Sequence, residues 1–221
     1  MKTIELFAGT KSFSKVMAKH KHKTFTIDNN PEFNCDMTAD LLFIDTNLFL
    51  EANKDVNVIW MSPPCTTFSL ASGNTHWTAD RQPKTAEAVL GRQLLLKCES
   101  IANWCIKNNK IFFIENPNGR AVWFLPDNWL KRVWYCQYGD TRAKPTNIWT
   151  NLEGWTPKTC KNYNYKQVRG LEKKHCHHEQ ARRGAKTGTQ GLKGARERSI
   201  IPPKLFEEIL DHIKKQRDNT K

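Results

Sequence analysis

Three residues of the chain are of types that carry covalent or polar chemistry: a thiol, a carboxylate and a guanidinium. Each follows or adjoins a turn signal. Cys65 stands in Ser62-Pro63-Pro64-Cys65-Thr66-Thr67-Phe68-Ser69. Two prolines stiffen the chain just before it, and rigid presentation suits a nucleophile, because a misplacement of about 1 Å can cost roughly a hundredfold in rate. Glu115 closes the apolar run of Phe112-Phe113-Ile114-Glu115-Asn116-Pro117. A carboxylate at the end of a buried strand can have its pKa raised and act as an acid near neutrality. Arg142 lies in Tyr138-Gly139-Asp140-Thr141-Arg142-Ala143-Lys144-Pro145-Thr146. Its planar, permanently charged fork can fix a carbonyl oxygen. Taken singly, each has an ordinary structural reading: a turn cysteine, a capping or paired glutamate, a solvated arginine.

The elements that must position these residues are legible from periodicity. Residues 3–8, 24–27, 56–61 and 111–114 read as short strands, and the stretch after Gly9 through Lys19 reads as a helix. Residues 86–107 place Val89, Leu94, Leu95, Ile101, Trp104 and Cys105 at close to helical spacing. Residues 200–213 follow with Leu205, Ile209, Leu210 and Ile213 after the start signal Pro202-Pro203. Alternating strands and helices predict an α/β domain with a doubly wound, mainly parallel sheet. Sites in such folds lie beyond the carboxyl ends of the strands, where Asp28, Cys65 and Glu115 all fall.

Composition supports one mid-sized domain with a small appendage. The 221 residues carry a formal charge of +13 and are 38% hydrophobic. So basic a surface attracts polyanions, nucleic acid first. The first nine residues hold one lysine and no long apolar stretch, which is not a signal-peptide pattern. No apolar run approaches the roughly 18 residues of a membrane span. A cytoplasmic, reducing setting with mostly free thiols is therefore expected, in a prokaryote or for a virus-encoded protein in its host cell. Residues 158–198 hold twelve lysines and arginines against three glutamates, with glycines at 184, 188, 191 and 194. A small basic lobe is expected over 151–198, with residues 1–150 and 199–221 forming the main domain. Cys160, His175, Cys176, His177 and His178 match no two-plus-two zinc spacing, and no metal is expected.

In this order and spacing the blocks resemble the DNA cytosine-C5 methyltransferase family. Its signatures run Phe-x-Gly, Pro-Pro-Cys-x-x-Phe-Ser, Glu-Asn-Val and Gln-x-Arg-x-Arg. Glu5-Leu6-Phe7-Ala8-Gly9-Thr10-Lys11-Ser12-Phe13 looks like the family's cofactor loop, and Arg198-Ser199-Ile200-Ile201-Pro202-Pro203-Lys204-Leu205 like its last block. The resemblance spans the chain except the basic lobe, and it implies a class I, Rossmann-like S-adenosylmethionine-dependent methyltransferase acting on double-stranded DNA as a monomer. It implies Cys65 as nucleophile at carbon 6 of a flipped cytosine, Glu115 at N3 and Arg142 at O2. Phe7, Gly9, Asp28, Asp40, Pro63 and Ser199 would contact the cofactor, with Asp28 on the ribose and Asp40 on the adenine. Ser69, Lys144, Arg182, Arg183 and Lys186 would contact nucleic acid, with phosphate contacts dominating affinity.

Departures from the pattern bear mainly on the cofactor. Gly-x-Gly-Gly is Gly9-Thr10-Lys11-Ser12, Glu-Asn-Val is Glu115-Asn116-Pro117, and the second arginine of Gln-x-Arg-x-Arg is Lys144. Ser199 stands where an asparagine is usual. Three alternatives follow. The substrate could be tRNA. The added cations Lys11 and Arg198 could receive a carboxylated S-adenosylmethionine. Or the chain could be a non-catalytic DNA-binding relative, against which the intact Cys65, Glu115 and Arg142 argue.

Overall fold

The computed structural model describes residues 1–160 and 194–218. In chain order these form β1 (Lys2–Leu6), α1 (Ser12–Lys19), β2 (Lys23–Asp28), β3 (Met37–Thr38), α2 (Thr46–Ala52), β4 (Val58–Met61), α3 (Ala86–Lys107), β5 (Ile111–Pro117), β6 (Leu130–Trp134), β7 (Pro145–Thr150), α4 (Ala195–Ser199) and α5 (Pro203–Asp218). Seven strands make one sheet in the order β3-β2-β1-β4-β5-β7-β6. The first five are parallel, whereas β7 runs antiparallel to both β5 and β6. The order reverses between β1 and β4, and the crevice beyond that switch point is where such sheets bind ligands. This is the doubly wound α/β arrangement expected from the sequence.

Side-chain alternation along the central strands divides the core in two. Ile4, Leu6, Ile59, Met61, Phe112 and Ile114 pack on one face with α3. Val58, Trp60, Ile111 and Phe113 pack on the other with α1 and α5. Strands covered on both faces read as continuous apolar runs, as β4 (Val-Ile-Trp-Met) does. Helix α3 starts where the Thr85 hydroxyl accepts from Ala88 N at 3.2 Å. It buries Ala88, Leu94, Leu95, Cys98, Ile101, Ala102 and Cys105. Val89, expected on its buried face, is exposed. Helix α5 begins at Pro203 and buries Leu205, Phe206, Ile209, Leu210 and Ile213.

Strand ends shift by a few residues for local reasons. β1 stops at Leu6 because Phe7 turns to a φ of 56°. β5 continues to Pro117 because Glu115, Asn116 and Pro117 pair with β7. β3, β6, β7 and α2 were not legible. β6 carries Lys131 and Arg132, and β7 buries Thr146, Asn147 and Thr150, so neither shows an apolar run.

Most of the basic lobe expected at 151–198, including Arg182, Arg183, Lys186 and the histidine cluster, lies outside the described residues. Its first residues fasten onto α5. Leu152 and Trp155 join the second core, Trp155 Nε1 donates to Glu208 Oε1 at 3.1 Å, and Lys158 Nζ pairs with Glu208 Oε2 at 2.7 Å. No helix among the described residues is long and apolar enough to cross a membrane, and none of their His, Cys, Asp and Glu side chains group as a metal site.

Candidate active site

Cys65 sits four residues beyond the end of β4, on a turn held from three sides. Phe68 N and Ser69 N both donate to the Cys65 carbonyl, at 3.1 and 3.0 Å. From β5, Asn116 Nδ2 donates to the buried Pro63 carbonyl at 3.1 Å. Phe68, fully buried, stacks on Trp77 at 5.5 Å, and Trp77 Nε1 donates to the Thr67 carbonyl at 2.7 Å. Gly119 closes the third side. A Cβ there would stand 2.3 Å from the Phe68 carbonyl oxygen, so only glycine lets the loop after β5 lie this close. The prolines were the legible part of this rigidity; Trp77 and Gly119, distant in sequence, were not.

Glu115 is buried at the carboxyl end of β5, and the Tyr135 hydroxyl donates to its Oε1 at 3.0 Å. Lys144 Nζ lies 4.8 Å from the centre of the Tyr135 ring and donates to the Arg198 carbonyl at 2.9 Å. Burial lowers the Lys144 ammonium pKa below its ordinary value, while Glu115 and Cys65 count among the charges acting on it. Burial and then the Glu115 charge push the Cys65 thiol up, and Lys144 and Arg198 pull it back less strongly. Cations do act on Cys65, but they do not prevail over burial and the carboxylate. In this state the sulfur is a thiol at neutral pH. A change that neutralised Glu115 would favour the thiolate.

Arg142 is 2% exposed, with most of its N–H groups committed inside the protein. Nε donates to Asp140 Oδ1 at 2.8 Å and Nη2 to Asp140 Oδ2; Nη1 and Nη2 reach the carbonyls of Arg198 at 3.0 Å and Ile200 at 3.2 Å. It thus ties the chain returning from α4 to the segment before β7. Four of its five side-chain N–H groups are thus engaged, which leaves one on Nη1 for the substrate carbonyl expected at Arg142. Lys144, two residues nearer β7, is a cation acting on both Glu115 and Cys65. Tyr135, the partner of Glu115, had no sequence signal, since one tyrosine in an aromatic-rich stretch is indistinguishable from core.

The cofactor candidates Phe7, Gly9, Asp28, Asp40 and Pro63 end or follow the parallel strands β1 to β4, with one exception to the set. Phe7 and Gly9 both have positive φ, at 56° and 47°, and nothing lies within 4 Å of a Cβ built on Gly9. The loop is therefore open above its glycine. Asp28, ending β2, accepts from Gly9 N at 2.8 Å through Oδ2 and from Asn30 N at 2.9 Å through Oδ1. Asp40 accepts from Leu42 N at 2.9 Å. Beneath the loop, Glu5 receives Phe13 N at 3.2 Å and Ser14 N at 2.8 Å from the start of α1, and burial raises its pKa to about 7. Lys11 Nζ donates across to the Asn34 carbonyl at 2.8 Å. Ser199 is the exception: it is exposed and its hydroxyl donates to the Arg196 carbonyl at 2.7 Å. The hydroxyl that meets the last block is Ser12, which accepts from Ile201 N at 3.3 Å.

Ser69, expected to touch nucleic acid, offers its carbonyl to Arg120 Nη1 at 3.0 Å and to the Ser72 hydroxyl at 2.7 Å.

No family model matches the chain. Similar solved structures include a triple mutant of DNMT2 from Spodoptera frugiperda, with a TM-score of 0.44 and 17% identity over 72% of this chain and 52% of that one, and the Dnmt2 methyltransferase of S. pombe, with 0.44 and 14% over 71% and 52%. This chain thus spans about half the length of each. Among curated proteins, the "Probable DNA (cytosine-5)-methyltransferase" of Frog virus 3 (isolate Goorha) is 30% identical over 221 residues, covering 96% of this chain and 99% of the relative. A likeness of that extent and completeness places the chain in the DNA (cytosine-5)-methyltransferase family.

Proposed function

We propose that the protein methylates carbon 5 of cytosine in double-stranded DNA, with Cys65 as the covalent nucleophile. The juxtaposition that carries this reading is a thiol on a clamped turn beyond β4, with Glu115 and Lys144 among the charges that act on it. The Cys65 thiolate adds to C6 of a cytosine swung out of the duplex, forming a sulfur–carbon bond and moving the C5=C6 pair onto C5. Glu115, oriented by Tyr135, shares a proton with N3 and absorbs charge pushed into the ring. The proton is the one the Cys65 thiol gives up, and on Glu115 it also removes the charge that, after burial, holds that thiol up, so base binding and thiolate formation support one another. Lys144, rather than the largely committed Arg142, is the cation for the base's O2. After C5 has gained its methyl and lost its hydrogen to a base, the sulfur–carbon bond breaks and the thiolate returns.

The crevice fits S-adenosylmethionine: an open glycine turn, with Asp28 and Asp40 as acceptors for hydroxyl and amino donors. Phe7, Gly9, Asp28, Asp40 and Pro63 would hold it there. When bound, it supplies an electrophilic methyl group on a cationic sulfur. Nucleoside mass spectrometry tests the reading directly, after incubating the protein with S-adenosylmethionine and either duplex DNA or tRNA. 5-Methyldeoxycytidine from DNA, in excess of any RNA product, is expected. Modification of tRNA alone, no product at all, or an acidic product made only with the carboxylated cofactor would overturn it.

A further inference from the structure

Asn147 is an amide where the fold has room for an apolar side chain. It is fully buried on β7, on the sheet face where Ile114, Leu130 and Trp149 pack with α3. Its register partners are polar too: Asn116 lies opposite it on β5, and Arg132 opposite it on β6. Opposed residues of an antiparallel pair share a face, with Cβ atoms about 4.5–5.5 Å apart. The three side chains therefore form a row across β6, β7 and β5. A leucine would fill the position of Asn147 without the desolvation penalty of a half-paired amide, so packing alone does not account for it.

Hydrogen bonds fix which way each amide faces. Arg132 Nε donates to Asn147 Oδ1 at 3.2 Å, which turns that oxygen toward β6 and Nδ2 toward β5. Asn116 Nδ2 donates to the Pro63 carbonyl beyond β4 at 3.1 Å, which turns Oδ1 back toward β7. Asn147 Nδ2 and Asn116 Oδ1 are the atoms left over, both buried and neither with a hydrogen-bond partner among the described residues. One is a donor and the other an acceptor, and side chains so opposed are close enough for one bridging water to satisfy both. With Oδ1 held, the Asn116 amide does not turn about its last, soft torsion, and Nδ2 stays on the Pro63 carbonyl.

We propose that Asn147, oriented by Arg132, is a positioning residue for Cys65. The row Arg132–Asn147–Asn116 fastens the Pro63 carbonyl, two residues before the nucleophile, to the antiparallel edge of the sheet. The proposal rests on the reading of Cys65 given above and names what holds its turn from the side of β7. Arg132 is exposed on the edge strand β6, so that end of the row can be removed without opening the core.

The test is amide hydrogen exchange at Phe68 and Ser69, whose N–H groups donate to the Cys65 carbonyl. It is measured on the full chain, beside single-turnover methyl transfer at saturating DNA. Arg132→Ala and Asn147→Leu each speed exchange at those two amides and slow transfer, by roughly 3- to 10-fold, the ordinary worth of one hydrogen bond. Exchange in α5, on the other face of the sheet, and affinity for S-adenosylmethionine stay at wild-type values. Arg132→Lys, which keeps a donor for Asn147 Oδ1, restores both rates. Faster exchange in α5 as well, with no rescue by lysine, would mean a general loss of stability and would overturn the proposal. Wild-type exchange and transfer in Arg132→Ala, in a protein that modifies DNA, would overturn it too and leave the enzymatic reading intact. Faster exchange confined to the turn, in variants of a wild type that transfers no methyl group, would retain the row and overturn the enzymatic reading.

Discussion

Gly119→Ala puts a methyl group where the structure has least room for one, at a residue that touches neither base nor cofactor. The new Cβ would lie 2.3 Å from the Phe68 carbonyl oxygen, so the two segments must part by about 0.7 Å to escape the clash and about 1.1 Å to reach ordinary contact. The neighbour is backbone and cannot swing aside. That carbonyl is the acceptor of Arg120 N, and Phe68 N is bonded to the Cys65 carbonyl, so the displacement passes to the nucleophile. A shift of about 1 Å in a reacting group costs roughly a hundredfold in rate, equivalent to about 2.7 kcal/mol of barrier. Single-turnover methyl transfer at saturating DNA and cofactor reads this loss, and the rate of covalent trapping by 5-fluorocytosine DNA should fall in parallel. Affinity for S-adenosylmethionine, proposed above to rest mainly on the loops after β1, β2 and β3, should be unchanged. A variant that traps at the wild-type rate, or loses cofactor affinity instead, would refute the claim that this contact sets the position of Cys65.

Glu115→Gln should slow transfer by roughly 10²- to 10⁴-fold, the usual worth of a proton donor, yet shift the pH profile of Cys65 alkylation downward because the opposing charge is gone; an upward or unmoved profile would contradict the coupling. For Glu5, the sign follows from a folded pKa of about 7 against an ordinary 4.5. The folded chain keeps a proton that the unfolded chain releases, so stability is full below about pH 4.5 and falls by roughly 3 kcal/mol by pH 7 and above. Denaturant titrations of wild type and Glu5→Gln should diverge over that window, and parallel curves would show that Glu5 is not the titrating group. Arg142→Gln leaves Asp140 with its buried partner removed, a loss of about 3–5 kcal/mol, which at roughly 2–4 °C per kcal/mol lowers Tm by roughly 6–20 °C. A variant that melts like wild type but fails to trap DNA would instead give Arg142 a direct hold on the substrate.

The parts of this site that sequence discloses are those fixed by local grammar. A run of apolar residues, two prolines and a cysteine place Cys65 beyond β4 without any knowledge of the rest of the chain. Phe112–Ile114 do the same for Glu115 beyond β5. What sequence hides is the pairing between segments. Tyr135 becomes the partner of Glu115 only because β6 and β7 return antiparallel beside β5. Neither strand has an apolar run to announce it, since β6 is an edge strand and β7 buries threonines and an asparagine. The same limit explains Arg142 and Lys144. Both stand in one short block of basic residues, and only the fold shows that the Arg142 fork is buried between Asp140 and the chain leaving α4 while Lys144 lies against the Tyr135 ring. Ser199 shows the same limit. Its place in the last block was read from order along the chain, whereas a short α4 turns its hydroxyl back onto Arg196.

The central claim is a covalent bond between Cys65 and carbon 6 of cytosine, and one experiment addresses that bond itself. Duplex DNA carrying 5-fluorocytosine is incubated with the full chain and S-adenosylmethionine, and the stalled adduct is digested and mapped by mass spectrometry. Fluorine cannot leave C5 as a proton does, so the sulfur–carbon bond persists. The account predicts an adduct on the peptide containing Cys65, absent in Cys65→Ser, whose cofactor affinity is retained. An adduct on Cys35 or Cys160, or methyl transfer that survives Cys65→Ser, would contradict it.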